Sequence, residues 1–95
     1  MAGYKEAIEV AIGKEMETLG KEKAIEIARD TSDLSVDEDG NVLQVNGSGK
    51  DVLSGLVESY TDVTGPVASS LIAYELRDEV DTEGIELPDN LSEHL

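Results

Sequence analysis

The chain contains no cysteine, no tryptophan, no phenylalanine and a single histidine. Without cysteine it has neither disulfides nor thiolate metal sites. His94 stands one residue from the C-terminal end and has no second His or Cys with which to share a metal or a catalytic proton. No serine sits on a recognisable nucleophile turn, and carboxylates are too numerous for any one pair to stand out as an acid–base couple. The chain is therefore expected not to be an enzyme, with no catalytic residue, metal site or cofactor. No apolar run approaches the roughly 18 residues of a membrane span. The stretch "MAGYKEAIEV" has no basic region followed by an apolar one, so no signal peptide is expected. A soluble cytoplasmic protein with no membrane partner is the expectation.

Basic residues are also scarce. Seven Lys and Arg face 22 Asp and Glu, a formal net charge of −15 over 95 residues. Nucleic-acid binding rests on a basic footprint. The nearest thing to one, Lys14, Lys21, Lys23 and Arg29, alternates with Glu15, Glu17, Glu22 and Glu26 and reads as a solvated face. A hydrophobic fraction of 39% and clear periodicity separate the chain from disordered acidic sequences. An ordered, acid-rich, lysine-poor chain with a core of Val, Leu, Ile and Ala resembles proteins of salt-in halophilic archaea. Like charges at this density oppose compaction, and salt screens them, with a Debye length of about 3 Å at 1 M. Folding is expected to need high salt.

The length fits one domain over residues 1–95, with 1–3 and about 88–95 as flexible ends. Tyr4, Ile8, Ala11, Ile12, Met16 and Leu19 repeat at three and four, predicting a helix over about 4–19 that breaks at Gly20. "KEKAIEIARD" predicts a second helix, or a continuation past a kink, with Ala24, Ile25, Ile27 and Ala28 inward. Leu34 and Val36, then Val42, Leu43 and Val45, alternate around "DEDGN", predicting strands near 33–36 and 42–45 joined at Asp39-Gly40. A lone hairpin is not stable, so it must pack on its own helices or on a second subunit. Val52, Leu53, Leu56, Val57 and Tyr60 mark a helix over about 49–63. Gly65-Pro66 ends it and opens another over about 66–80, with Val67, Ala68, Leu71, Ile72, Ala73, Leu76 and Val80 apolar. Asp78, Glu79 and Asp81 crowd its C-terminal end, the unfavourable end for anions in dilute buffer. Beyond it, Ile85 and Leu87 are candidates to dock. The fold class is α+β, helix-rich, in the order α-α-β-β-α-α, with one β-hairpin and a C-terminal helical hairpin.

Two stretches imitate motifs. "NGSGKD" suggests a phosphate-binding loop, G-x-x-x-x-G-K-[ST]. Gln44 stands where that motif needs its first Gly, and Asp51 where it needs a hydroxyl. The stretch reads better as a helix start, with Ser48 as N-cap and Asp51 as the acid of a capping box. "DEDGN" suggests a calcium loop, but from Asp37 the sixth position is Val42, not Gly, and the twelfth is Ser48, not Glu.

The most characteristic stretch is "ESYTDVTGPVASSLIAYEL". Small residues recur on both of its helices, Ser54, Gly55 and Ser59 on one and Ala68, Ser69, Ser70 and Ala73 on the next, and permit close approach within the chain or across a subunit interface. Gly55, Tyr60, Thr64, Ser70, Ala73 and Tyr74 are the candidate ligand or interface residues. Together "YTDVTGPVASSLI", the acidic hairpin and "GKDVLSGLV" resemble a group of small uncharacterised haloarchaeal proteins with a proposed nitrogen-oxide-sensing domain label. Residues 52–76 are also similar to short C-terminal segments of some bacterial signalling proteins. The resemblance implies a signal-receiving or regulatory role; without Cys or an internal His, the usual haem and iron ligands are missing. The expected function is a non-enzymatic regulatory or protein-interaction module of a halophilic organism, partnered by itself as a homodimer or by another protein. The alternative is a small-ligand sensor with its pocket at the Tyr60/Thr64/Ser70/Tyr74 corner. A DNA-binding regulator is a third reading, which the charge disfavours.

Overall fold

The computed structural model describes residues 3–79 together with 88 and 91. Its elements are α1 (Tyr4–Leu19), α2 (Lys21–Arg29), β1 (Leu34–Val36), β2 (Val42–Val45), α3 (Gly49–Thr64) and α4 (Val67–Glu79). The order and class are those read from the sequence. Val80, Asp81, Ile85, Leu87 and His94 lie outside the described residues.

α1 is the hub: it touches α2, α3, α4 and β2. Its buried stripe is Ala7, Ile8, Ala11, Ile12 and Glu15, while Tyr4, Met16 and Leu19 pack partly buried at the rim. α2 is a separate helix, because Gly20 takes φ 91 and ψ 151 between it and α1. α3 buries the expected set, Val52, Leu53, Leu56, Val57 and Tyr60. α4 packs on α1 and α3 through Ala68, Ser69, Ile72, Ala73 and Leu76. Of the broad apolar face that the periodicity outlined, Val67 is exposed and Leu71 half-buried. Pro88 and Leu91 are buried, and the Leu91 N–H donates to the Pro88 carbonyl at 3.0 Å. At these two positions the segment expected as a flexible end belongs to the core.

The hairpin packs on its own helices. Leu34, Val36 and Val42 are buried, and α2 lies against β1 and α1 against β2. The Val42 N–H donates to Glu9 Oε2 at 3.0 Å, and Arg29 Nε donates to the Val36 carbonyl at 3.4 Å. These bonds take up backbone groups that a two-stranded sheet would otherwise offer to another chain. Leu34 pairs with Val45, Ser35 with Gln44 and Val36 with Val42, which leaves Leu43 as an extra residue. This bulge lets Val42 and Val45 both turn inward and leaves Leu43 exposed. Asp37 organises the turn: its Oδ1 accepts from the Asp39 and Asn41 N–H groups at 2.9 and 2.8 Å. Those bonds, the one from Asn41 foremost, hold its carboxyl below the usual range.

The "NGSGKD" stretch is a helix start. Ser48 Oγ accepts from the Asp51 N–H at 3.4 Å, a long bond that makes a weak cap. Gly49 is required by close approach, because a Cβ there would lie 2.5 Å from Tyr4 Cβ. The glycine that suggested a phosphate loop instead seats a ring from α1.

Candidate functional site

The six candidate residues do not face one space. Tyr60 is fully buried, and its hydroxyl donates to the Ala24 carbonyl on α2 at 2.8 Å. Burial, and secondarily the charge of Glu15, push its phenol far above the ordinary range. Tyr74, by contrast, is 61% exposed. Thr64 Oγ1 donates to the Tyr60 carbonyl at 3.0 Å. Ala73 is in the core, whereas Gly55 looks toward Thr31, whose Cγ2 would be 3.9 Å from an added Cβ. The small residues of the two helices therefore serve different contacts. Those of α4 let it close on the core, and Gly55 with Ser59 lines a cleft against the α2–β1 connection. Ser70 is half-buried on α4.

Hydroxyls at the corner are turned inward on their own helix. Ser59 donates to the Gly55 carbonyl at 3.0 Å, Thr61 to Val57 at 2.8 Å, and Ser69 to Pro66 at 3.0 Å. With these donors engaged, the corner exposes Val63, Pro66 and Val67 beside one carboxylate, Asp62. Val63 is 50% exposed and Val67 54%, one on each side of Gly65-Pro66. Tyr74 follows Val67 by two turns on the same face of α4, with half-buried Leu71 between them. The sequence reading missed Val63, and it placed Val67 on one broad apolar face with Ala68, Ile72 and Leu76. The signal was available in the spacing: Val67, Leu71 and Tyr74 form a second stripe, offset from Ala68, Ile72 and Leu76.

Clefts lie elsewhere among the described residues. One of about 380 Å³ is bounded by Asp30, Asp33, Ser48, Asp51, Gly55 and Ser59 among others. Its three carboxylates oppose a phosphate, in keeping with the rejected phosphate-loop motif. Among the described residues no cluster of His, Cys, Asp or Glu has the arrangement of a metal site. The second, about 740 Å³, runs between α2 and the hairpin turn, with Lys21, Ile25, Arg29 and Glu38 on its walls. Its cations Lys21 and Arg29 stand among the carboxylates Glu22, Glu26, Asp30 and Glu38, and Lys21 Nζ is bonded to Asp39 at 3.1 Å.

Among the described residues one carboxyl side chain is buried. Glu15 is 1% exposed; its Oε2 accepts from the Thr18 hydroxyl at 3.0 Å, and among the described residues its Oε1 has no partner. Burial raises its pKa against the smaller opposing pulls of the Thr18 hydroxyl and Lys14. The sequence signal was a conflict: position 15 continues the stripe of Ile8, Ala11 and Ile12, while its charge argued for water.

Among the described residues no helix is long and apolar enough to cross a membrane. No protein-family model, curated protein or solved structure matches this chain.

Proposed function

We propose that the chain is a non-enzymatic regulatory module of a halophilic organism and that it pairs with a second copy of itself through the α3–α4 corner. The observation that carries this reading is the exposure of Val63, Val67 and Tyr74 on a chain otherwise so rich in acid. Apolar side chains grouped at the surface mark interaction sites more often than single exposed ones do. The identity of the partner is argued from charge. A corner whose exposed residues are mainly uncharged is where two strongly acidic chains meet with least repulsion, and salt lowers that repulsion further. Salt also strengthens the burial of apolar surface, so pairing and folding are favoured by the same condition. The regulatory role is what the haloarchaeal resemblance implies.

The test is molar mass by light scattering during size-exclusion chromatography in about 2 M KCl, where charge is screened over a few ångströms. A dimer that becomes a monomer in Val67→Asp, with the far-ultraviolet spectrum unchanged, is the expected result. A monomer at every concentration, or a dimer indifferent to Val67→Asp and Tyr74→Ala, would overturn the reading.

A further inference from the structure

Glu15 stands apart from the corner and from every surface described above. It is almost wholly buried on α1, which packs against α2, α3, α4 and β2. A carboxylate accepts up to four hydrogen bonds, and here one hydroxyl, that of Thr18, serves one of its oxygens. Among the described residues the other oxygen has no donor. Among the described residues, the groups on the elements packed against α1 do not supply one. From α3 comes the Tyr60 phenol, whose proton goes to the Ala24 carbonyl. From α2 come that carbonyl and the buried Ala24, Ile27 and Ala28. β2 carries no titratable residue. On α1 the nearest cation, Lys14, reaches instead to Glu17 and across to Glu75 of α4, each at 3.4 Å.

We propose that Glu15 is held in the folded chain as the neutral acid, and that loss of its proton is a built-in pH-sensitive release of the α1–α2–α3 packing. An unpartnered neutral hydroxyl in the core costs far less than an unpartnered anion. Ionisation passes the Glu15 proton to solvent and leaves a charge that the core can accommodate only by opening to water near Tyr60. The sign follows from the raised folded pKa. The folded chain binds one proton more than the unfolded chain above the ordinary glutamate value of 4.5, so stability falls as pH rises through that window and levels off once Glu15 is ionised in both states. Each unit by which the folded pKa is raised changes the folding constant tenfold. Surface repulsion also grows with pH, but salt screens it, whereas a buried charge is screened far less. High salt therefore isolates the contribution of Glu15.

The experiment is urea unfolding in about 2 M KCl from about pH 4.5 to about pH 9 on the wild-type chain, Glu15→Gln and Glu22→Gln. Glu22 is exposed on α2 and controls for the loss of one negative charge. The wild type and Glu22→Gln are expected to lose stability together as pH rises. Glu15→Gln is expected to show no such slope and to overtake both at the alkaline end. A Glu15→Gln slope equal to that of the wild type overturns the proposal, whatever its absolute stability. If Glu15→Gln does not fold, a carboxyl carbon-13 titration of the wild type decides. One glutamate resonance titrating above all the others supports the proposal; all of them titrating together in the ordinary range overturns it.

Discussion

Two corners of this molecule use the same backbone device and wear different side chains. Gly20 joins α1 to α2 with φ 91, and its N–H donates to the Met16 carbonyl at 3.1 Å. Gly65 joins α3 to α4 with φ 88, and its N–H donates to the Thr61 carbonyl at 2.7 Å. Both pair the positive φ with a ψ near the extended value, a region that glycine alone occupies without strain. Past the first corner come Lys21, Glu22 and Lys23, all exposed and all charged. Around the second stand Val63, Pro66 and Val67, exposed and uncharged, with a single exposed carboxylate, Asp62, beside them. The turn geometry is therefore satisfied by either surface. The valines at the second corner are not demanded by the chain reversal, which is why they are read as an interaction surface.

Salt should act on both corners at once and have the largest effect. Transfer from about 2 M KCl to dilute buffer restores the full range of like-charge repulsion, and the cooperative thermal transition seen at high salt should be lost. A melting curve unchanged between the two conditions would contradict the halophilic reading. Next come the glycines. Gly20→Ala and Gly65→Ala should each cost about 1–3 kcal/mol, by similar amounts, because each forces a Cβ into the same forbidden region. Urea midpoints would show this, and a large cost at one corner alone would break the comparison. The surface side chains come third and should separate the corners. Val67→Asp should abolish pairing while changing the stability of the monomer by no more than about 0.5 kcal/mol. Lys23→Asp at the first corner should leave the molar mass unchanged. The smallest effect is expected at Ser48. The usual cost of losing an N-cap is about 1 kcal/mol, and the long bond here places Ser48→Ala below that, measurable as a small shift in the same urea midpoints.

Much of the fold was legible because each element has its own hydrophobic period and its own stop. The α3 stripe from Val52 to Tyr60 and the break at Gly65-Pro66 needed nothing beyond spacing and turn chemistry. What stayed hidden depends on neighbours. Periodicity shows that Val67 and Leu71 lie on an apolar face of α4, but not that α1 and α3 are too narrow to cover it. Tyr60 and Tyr74 look equivalent in sequence, yet the helix turns one onto Ala24 and the other to solvent. Leu43 alternates correctly with Val42, and a bulge then breaks the alternation. Glu15 has the right position and the wrong charge for a core, a contradiction that only packing resolves. The proposed corner was harder to read than the fold for the same reason: a surface is what the rest of the chain leaves uncovered.

The most direct test of the corner as a pairing surface is an isotope-filtered nuclear Overhauser experiment at high salt. Equal amounts of carbon-13-labelled and unlabelled chains would be mixed, so that only contacts between copies are seen. The account predicts contacts from the Tyr74 ring of one copy to the methyl groups of Val63 and Val67 of the other. Intermolecular contacts confined to the Lys21–Lys23 corner or to the hairpin, or none at all, would contradict it.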